Sequence, residues 1–447
     1  MLSRQLAEYV HELSPDDLDD ETVETTKDRL LDSIATAYAG RDETPVDNLL
    51  SYCTGKSGEP EAGVLADDRT ASVEHAAFAN GGLIRYLDWN DTYLSLEPAH
   101  PSDNFGAVLP AAAAHDASGE DMLLAAALAY ELQCRLCDAA SLRKNGWDHV
   151  NYGLVSATLA VGKLMGLTED ELVHAQNLAV NPHAAMRQAR AGELSEWKGF
   201  AFANVDRNAV VACELAAEGL HGPSPIFEGE FGFYNQLTGE FTLDVDGFGG
   251  RDGDWKINET YVKYYPVEYH AQAAVNIVMD VVDEVDVDDI ERIENETYEA
   301  AVSIISKDPQ KWDPETRETA DHSMPYCIAR AFIDGEMTLD QFSLDKVRGE
   351  DVRELMDRIE ITENESYTEA YGESFPHRMV VHADGETIER EVEYPKGHPG
   401  NPLSNEELEA KFEECAGDHL TGDEMDAVVD YVRDVEKRDA AELFEIA

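Results

Sequence analysis

A chain of 447 residues with 43% apolar content is long enough for two or three domains and apolar enough to build real cores. Its 93 Asp and Glu outnumber 34 Lys and Arg, leaving a net charge of −59, which repels nucleic-acid phosphates and anionic membrane surfaces and argues against both as partners. Apolar runs and helix signals continue along the whole chain, so the charge reads as a densely carboxylated surface on a folded protein, not as disorder. Halophiles use such surfaces to stay soluble in concentrated salt, which also screens the self-repulsion.

The N-terminus has no apolar core flanked by positive charge, so no signal peptide is expected. No run of about 18 apolar residues occurs, and six cysteines do not make a disulfide framework. A soluble, cytoplasmic protein is expected. In chain order, Val23, Leu30, Leu31, Ile34 and Tyr38 recur at helical spacing, with Gly40 as a C-terminal stop. Ser118 with Asp121 and Thr168 with Glu171 form capping-box patterns before apolar runs. Those runs, Leu123 to Leu136 and Leu154 to Leu164, are apolar nearly all round and belong inside a bundle. An all-helical domain is predicted for 1–255. From 256 to 399 the pattern is α+β. Segments 291–305 and 357–366 mix β-branched residues with alternating charge, and helical patterns lie at 271–283 and 323–335. Residues 378–394 alternate on both sides of Asp384-Gly385, a hairpin signal. Helix signals return at Ser404 with Glu407, so residues 400–447 are expected to rejoin the helical domain.

Four segments carry candidate chemistry. The stretch from Asp88 to Gly106 packs acids, hydroxyls, an amide and His100 between two helical stretches, with Pro98 and Pro101 in the loop; it reads as a functional loop or as turn and cap chemistry. Residues 183–207 hold Arg187, Arg190, Lys198 and Arg207 against Glu193, Glu196 and Asp206. That is a net of +1, where a stretch of this length would carry about −3 at the chain's average. An anionic substrate would require such a stretch; intramolecular salt bridges would also produce it. Lys263, Glu268 and His270 surround Pro266 near the domain junction, where clefts are common ligand sites. Asp321-His322-Ser323 opens a helix, either as an anion site or as an ordinary cap. Cys134 and Cys137 share a face of an apolar helix with no second pair at zinc spacing, and the remaining cysteines are isolated, so buried thiols are expected and no metal. No Gly-rich nucleotide loop or Gly-x-Ser-x-Gly elbow occurs, and no cofactor is expected.

At these segments the chain resembles the MmgE/PrpD family. The resemblance rests on Leu31-Asp-Ser-Ile with Ala39-Gly40, on Asn80-Gly81 leading into Leu87-Asp88-Trp-Asn-Asp91-Thr92, and on His100-Pro-Ser102-Asp103-Asn104. It extends through Asp148-His149-Val150, Trp197-Lys198-Gly, Gly222-Pro223, Gly232-Phe-Tyr234, Tyr265-Pro-Val-Glu-Tyr-His270 and Tyr394-Pro-Lys-Gly to Asn401-Pro-Leu-Ser404. It implies a large helical domain with a smaller α+β lid, usually a homodimer, and a site between the domains. The long form of the 88–104 loop points to the branch that dehydrates 2-methylcitrate, a metal-independent hydro-lyase reaction on a tricarboxylate. The implied catalytic residues are Asp88, His100, His149, Lys198, Lys263 and Tyr326, with Thr92 and His270 in substrate binding and either Glu268 or His270 facing the substrate; Ser102 of the loop and Arg190 of the positive stretch are expected to bind substrate beside them. Dehydration needs a base, cations for the carboxylates and an acid for the leaving hydroxyl; Lys198, Lys263 and His100 are expected to supply the cations, and Asp88 and His149 the base and acid. The same scaffold implies two alternatives, cis-aconitate decarboxylation and epimerisation of amino-dicarboxylates. A non-enzymatic polycarboxylate-binding protein is a third reading.

Overall fold

Among the described residues, nine helices build most of the first half of the chain: α1 (Leu2–Glu12), α2 (Asp20–Gly40), α3 (Thr44–Lys56), α4 (Val73–Arg85), α5 (Phe105–Ala114), α6 (Gly119–Ala139), α7 (Gly153–Leu164), α8 (Glu169–His183) and α9 (Trp197–Ala217). The computed structural model describes residues 1–56, 61–191 and 195–447. They divide into one unit of Met1–Thr260 with Ser404–Ala447 and a second of Tyr261–Leu403.

Local signals explain the helix ends. Thr168 and Glu171 form a full capping box on α8, as do Ser404 and Glu407 on the helix Asn405–Ala416. Ser118 also caps α6, accepting from the Asp121 N–H, but the Asp121 carboxylate takes the Ser118 hydroxyl and so leaves the box half made. Gly40 does not sit beyond its helix. It is the last residue of α2, where a Cβ would lie 3.1 Å from the Leu83 carbonyl of α4. Its smallness serves helix contact, not termination.

In the larger unit α4 lies against α5 and α9, α6 against α7, and α7 against α8 and α9; the helix Asn405–Ala416 packs on α2. The unit is not wholly helical. β1 (Ala62–Val64) and β2 (Asp67–Ala71) pair antiparallel around Ala66, whose φ is +54°. Strands of three and five residues give too few alternating positions to register in the pattern, and alanine in the left-handed region is no turn signal.

The contact of α4 with α5 and α9 matters because each of these helices borders a segment of the candidate site. A Cβ on Gly81 would strike the Asp206 carboxylate and lie 2.9 Å from the Ala203 Cα. Gly81→Ala should therefore destabilise the larger unit by about 1–3 kcal/mol through overpacking, read as a lower urea midpoint. An unchanged midpoint would show that the helices have room to separate.

The smaller unit holds a four-stranded mixed sheet in the order β4 (Ile359–Glu363), β3 (Ile290–Thr297), β5 (His377–Ala383), β6 (Glu386–Val392), parallel only between β3 and β4. Ile293 faces Ile359 on one side and Val381 on the other, and all three are buried. Asp384 and Gly385, with φ of +48° and +74°, make the turn between β5 and β6, as their type requires. The helices Gln272–Val281 and Met324–Asp334 lie close to the expected ranges. Residues 291–305 change state part-way, strand to Thr297 and helix from Glu299. No described helix is long and apolar enough to cross a membrane.

Candidate active site

The larger unit gathers its titratable groups around the end of α4. Arg85 closes that helix, and three residues on Asp88 turns the chain at φ +58°, a left-handed conformation that Asp tolerates better than most residues. This turn aims the Asp88 carboxylate at three bases. Arg85 Nη1 is 2.8 Å from one oxygen, Lys198 Nζ is 3.0 Å from the other, and His100 Nε2 lies 3.8 Å away. Lys198 comes from the first turn of α9.

The loop after Asp88 is fastened to itself. Asn90 Nδ2 donates to Ser102 Oγ and Asp103 Oδ1, both at 2.8 Å, and the Ser102 N–H donates to Asp91 Oδ1 at 2.9 Å. His100 Nδ1 lies 2.7 Å from the Asp91 carbonyl. A carbonyl only accepts, so Nδ1 carries a proton and Nε2 is the nitrogen turned to Asp88. Thr92 Oγ1, 3.4 Å from the same Nδ1, adds little.

A 3-10 turn, His149–Tyr152, brings in the second imidazole. The His100 and His149 rings are 5.9 Å apart and inclined at 61°. His149 Nδ1 is 3.2 Å from Asp148 Oδ1, and Arg190 Nε is 3.1 Å from Asp148 Oδ2. Burial, then Arg190, push His149 down to about 3. Its imidazole is therefore neutral, with the Nδ1 proton facing Asp148 and a bare lone pair on Nε2. That Nε2 is buried and makes no hydrogen bond. Burial alone would raise Asp148, but Arg190 and the Val150 N–H hold it below the usual carboxylate range. Asp103, fully buried, is raised to about 7 by desolvation, against the pull of Arg85 3.7 Å away.

The positive stretch 183–207 thus divides. Arg190 and Lys198 join the cluster through ion pairs with Asp148 and Asp88, whereas Arg207 lies over the Phe78 ring and bonds Asn204. Glu193 lies outside the described residues. Two of the expected site residues are engaged with other protein groups. Ser102, only 1% exposed, accepts from Asn90 and holds the loop together. Tyr326 is fully buried in the smaller unit, and its hydroxyl donates to the Gln341 carbonyl.

The smaller unit arranges its own group. His270 Nδ1 is 2.7 Å from the Tyr298 hydroxyl, and its Nε2 is 3.9 Å from Glu268 Oε1. The other Glu268 oxygen accepts from the His270 N–H. Tyr298 and Tyr371 flank the ring, and His270 is 4% exposed, against 18% for the Glu268 side chain. Lys263 is buried as well. Among the described residues, no three His, Cys, Asp or Glu are grouped to hold a metal ion. Cys134 and Cys137 are buried in α6, and desolvation raises both thiols well above their usual range, so they sit there as small apolar side chains.

The sequence profile of the MmgE/PrpD N-terminal domain matches residues 4–246, and that of the C-terminal domain matches residues 265–436. The chain belongs to the MmgE/PrpD family. The 2-methylcitrate dehydratase of Escherichia coli K12 is 30% identical over 348 residues, covering 72% of this MmgE/PrpD chain and 71% of its own. That of Cupriavidus necator is 32% identical over 348 residues, with 72% and 70% covered. An alkylcitrate dehydratase from a fungal strain is 30% identical over 442 residues, with 91% and 86% covered.

Three members of the cluster in this MmgE/PrpD chain escaped assignment from the sequence. Arg85 sits inside an apolar helix, and its only signal was a charge at that position with an acid three residues on. Asp103 and Asp148 each stand beside a residue that was singled out, and only their distances to Arg85, His149 and Arg190 give them a function.

Proposed function

We propose that this chain is a hydro-lyase that dehydrates 2-methylcitrate to 2-methyl-cis-aconitate, using its own side chains to move the protons. The bare, buried Nε2 of His149 carries the reading. A neutral imidazole beside a carboxylate on one nitrogen and unpartnered on the other has a lone pair placed to take a proton. The names of the relatives, 2-methylcitrate and alkylcitrate dehydratases, supply the substrate class.

In this scheme His149 Nε2 removes the proton alpha to a carboxylate. Lys198 and Arg190 hold the carboxylates as charge builds on them. Their side chains are 18% and 11% exposed, so both can exchange an aspartate for substrate, whereas Arg85, at 2%, stays to hold Asp88. The electrons of the broken C–H bond form the double bond as the C–O bond breaks. His100, entering the step as an imidazolium that keeps its Nδ1 proton on the Asp91 carbonyl, gives its Nε2 proton to the departing hydroxide, forming water and leaving the ring neutral. Arg85, Lys198 and Arg190 gather in one place while burial pushes Asp91 and Asp103 towards their neutral forms, so this region is far less negative than the molecule of charge −59 around it and lets a trianion approach that the rest of the surface would repel.

The test is incubation of the purified protein with 2-methylcitrate, citrate and cis-aconitate, following conjugated-alkene absorbance and CO₂ release. Alkene formation from 2-methylcitrate without CO₂ is expected. CO₂ release from cis-aconitate would move the assignment to decarboxylation, and binding without turnover would sink the enzymatic reading.

A further inference from the structure

The turn that aims Asp88 is gripped from behind by a residue far along the chain. Lys411, in the helix Asn405–Ala416, is 2% exposed, and its Nζ donates to Asp32 Oδ1 at 2.6 Å and to the Trp89 carbonyl at 3.2 Å. The ammonium also lies 4.9 Å from the Trp89 ring centroid. Asp32, on α2, is fully buried, and its second oxygen has no hydrogen bond. A buried ion pair is a weak way to stabilise a fold, since apolar residues of similar volume often do as well. What apolar residues would not do is donate to the carbonyl of the residue that follows Asp88.

We propose that Lys411 is a positioning residue: by holding the Trp89 carbonyl it fixes the left-handed turn at Asp88, and with it the placement of the Asp88 carboxylate among Arg85, Lys198 and His100. The next links run the same way. Asp91 accepts from the Ser102 N–H through its side chain and from His100 Nδ1 through its carbonyl. Releasing Trp89 therefore loosens the register of the loop that orients His100. Asp32 has the lesser part of keeping the ammonium in place.

The inference rests on the dehydratase reading for its effect on turnover, but not for its effect on the loop. The double variant Asp32→Leu/Lys411→Met removes both buried charges together and leaves Trp89 without its donor. It should fold with a thermal midpoint near that of the wild type, lose at least tenfold in kcat with KM within threefold, and exchange its Ser102 amide at least tenfold faster. Lys411→Arg, which keeps the charge and the donors, should recover most of the turnover. A folded double variant with wild-type kcat and wild-type exchange at Ser102 would overturn the proposal. Should that variant not fold, the wild-type chain decides: its Ser102 amide must exchange as slowly as the core amides of α7, and exchange at the rate of an open loop overturns the idea. A protected Ser102 amide in a protein inactive on 2-methylcitrate would sink the substrate reading alone.

Discussion

His149→Gln should lower kcat by about 10³-fold, within the 10²–10⁴ that a positioned general base contributes, while leaving the protein folded. Glutamine fills similar space and offers no base. Asp148 keeps Arg190 and the Val150 N–H, so no carboxylate is left buried without a partner. Because the folded protein holds His149 neutral down to about 3, its titration should put no acid limb on kcat/KM between about pH 8 and 5, where an ordinary histidine would. The stability sign follows from the same shift. The unfolded chain protonates this histidine near 6.5 and the folded chain only near 3, so its contribution is complete above about 6.5 and is lost as pH falls towards 3. The glutamine variant should lose less stability over that window than the wild type. Steady-state kinetics and urea melts at several pH values check both parts, and a variant within threefold of wild-type kcat would remove His149 from the mechanism.

Lys198→Ala should cost about 10²–10³ in kcat, the scale of deleting one donor to a developing charge, together with a rise in KM. Lys198 is one of the two cations with enough exposure to meet a substrate, and its present partner Asp88 keeps Arg85 at 2.8 Å when the lysine is gone. Stability should change by no more than about 1 kcal/mol, as for other partly exposed ion pairs. Lys198→Arg keeps the charge but not the point-like ammonium and should restore part of the loss. Circular dichroism alongside kinetics separates the outcomes: full activity in the folded alanine variant would end the assignment of Lys198.

How much of this was readable in advance differs by element. The boxes at Thr168 and Ser404 and the hairpin at Asp384-Gly385 are determined within four residues, so local sequence sufficed. The composition of the 88–104 loop marked it as chemical, and Asp88, His100, His149, Arg190 and Lys198 do meet in one cluster. The loop's inner residues were harder to read. Ser102 and Tyr326 have the same hydroxyls that a substrate site would use, and nothing in their neighbours tells whether a hydroxyl meets a ligand, a side chain or the carbonyl of a distant residue such as Gln341.

By itself, then, the amino-acid order determined the secondary elements with strong caps, the acidic surface and the kinds of residue available for chemistry, because these depend on spacing and composition alone. Only the tertiary structure decided which of them act together. It set Arg85 between Asp88 and Asp103, left His149 Nε2 bare, and brought Lys411 from 322 residues downstream onto the Trp89 carbonyl. Hydrogen bonds and charge interactions depend on distances of a few ångströms and on the exclusion of water, and neither exists until the helices have packed.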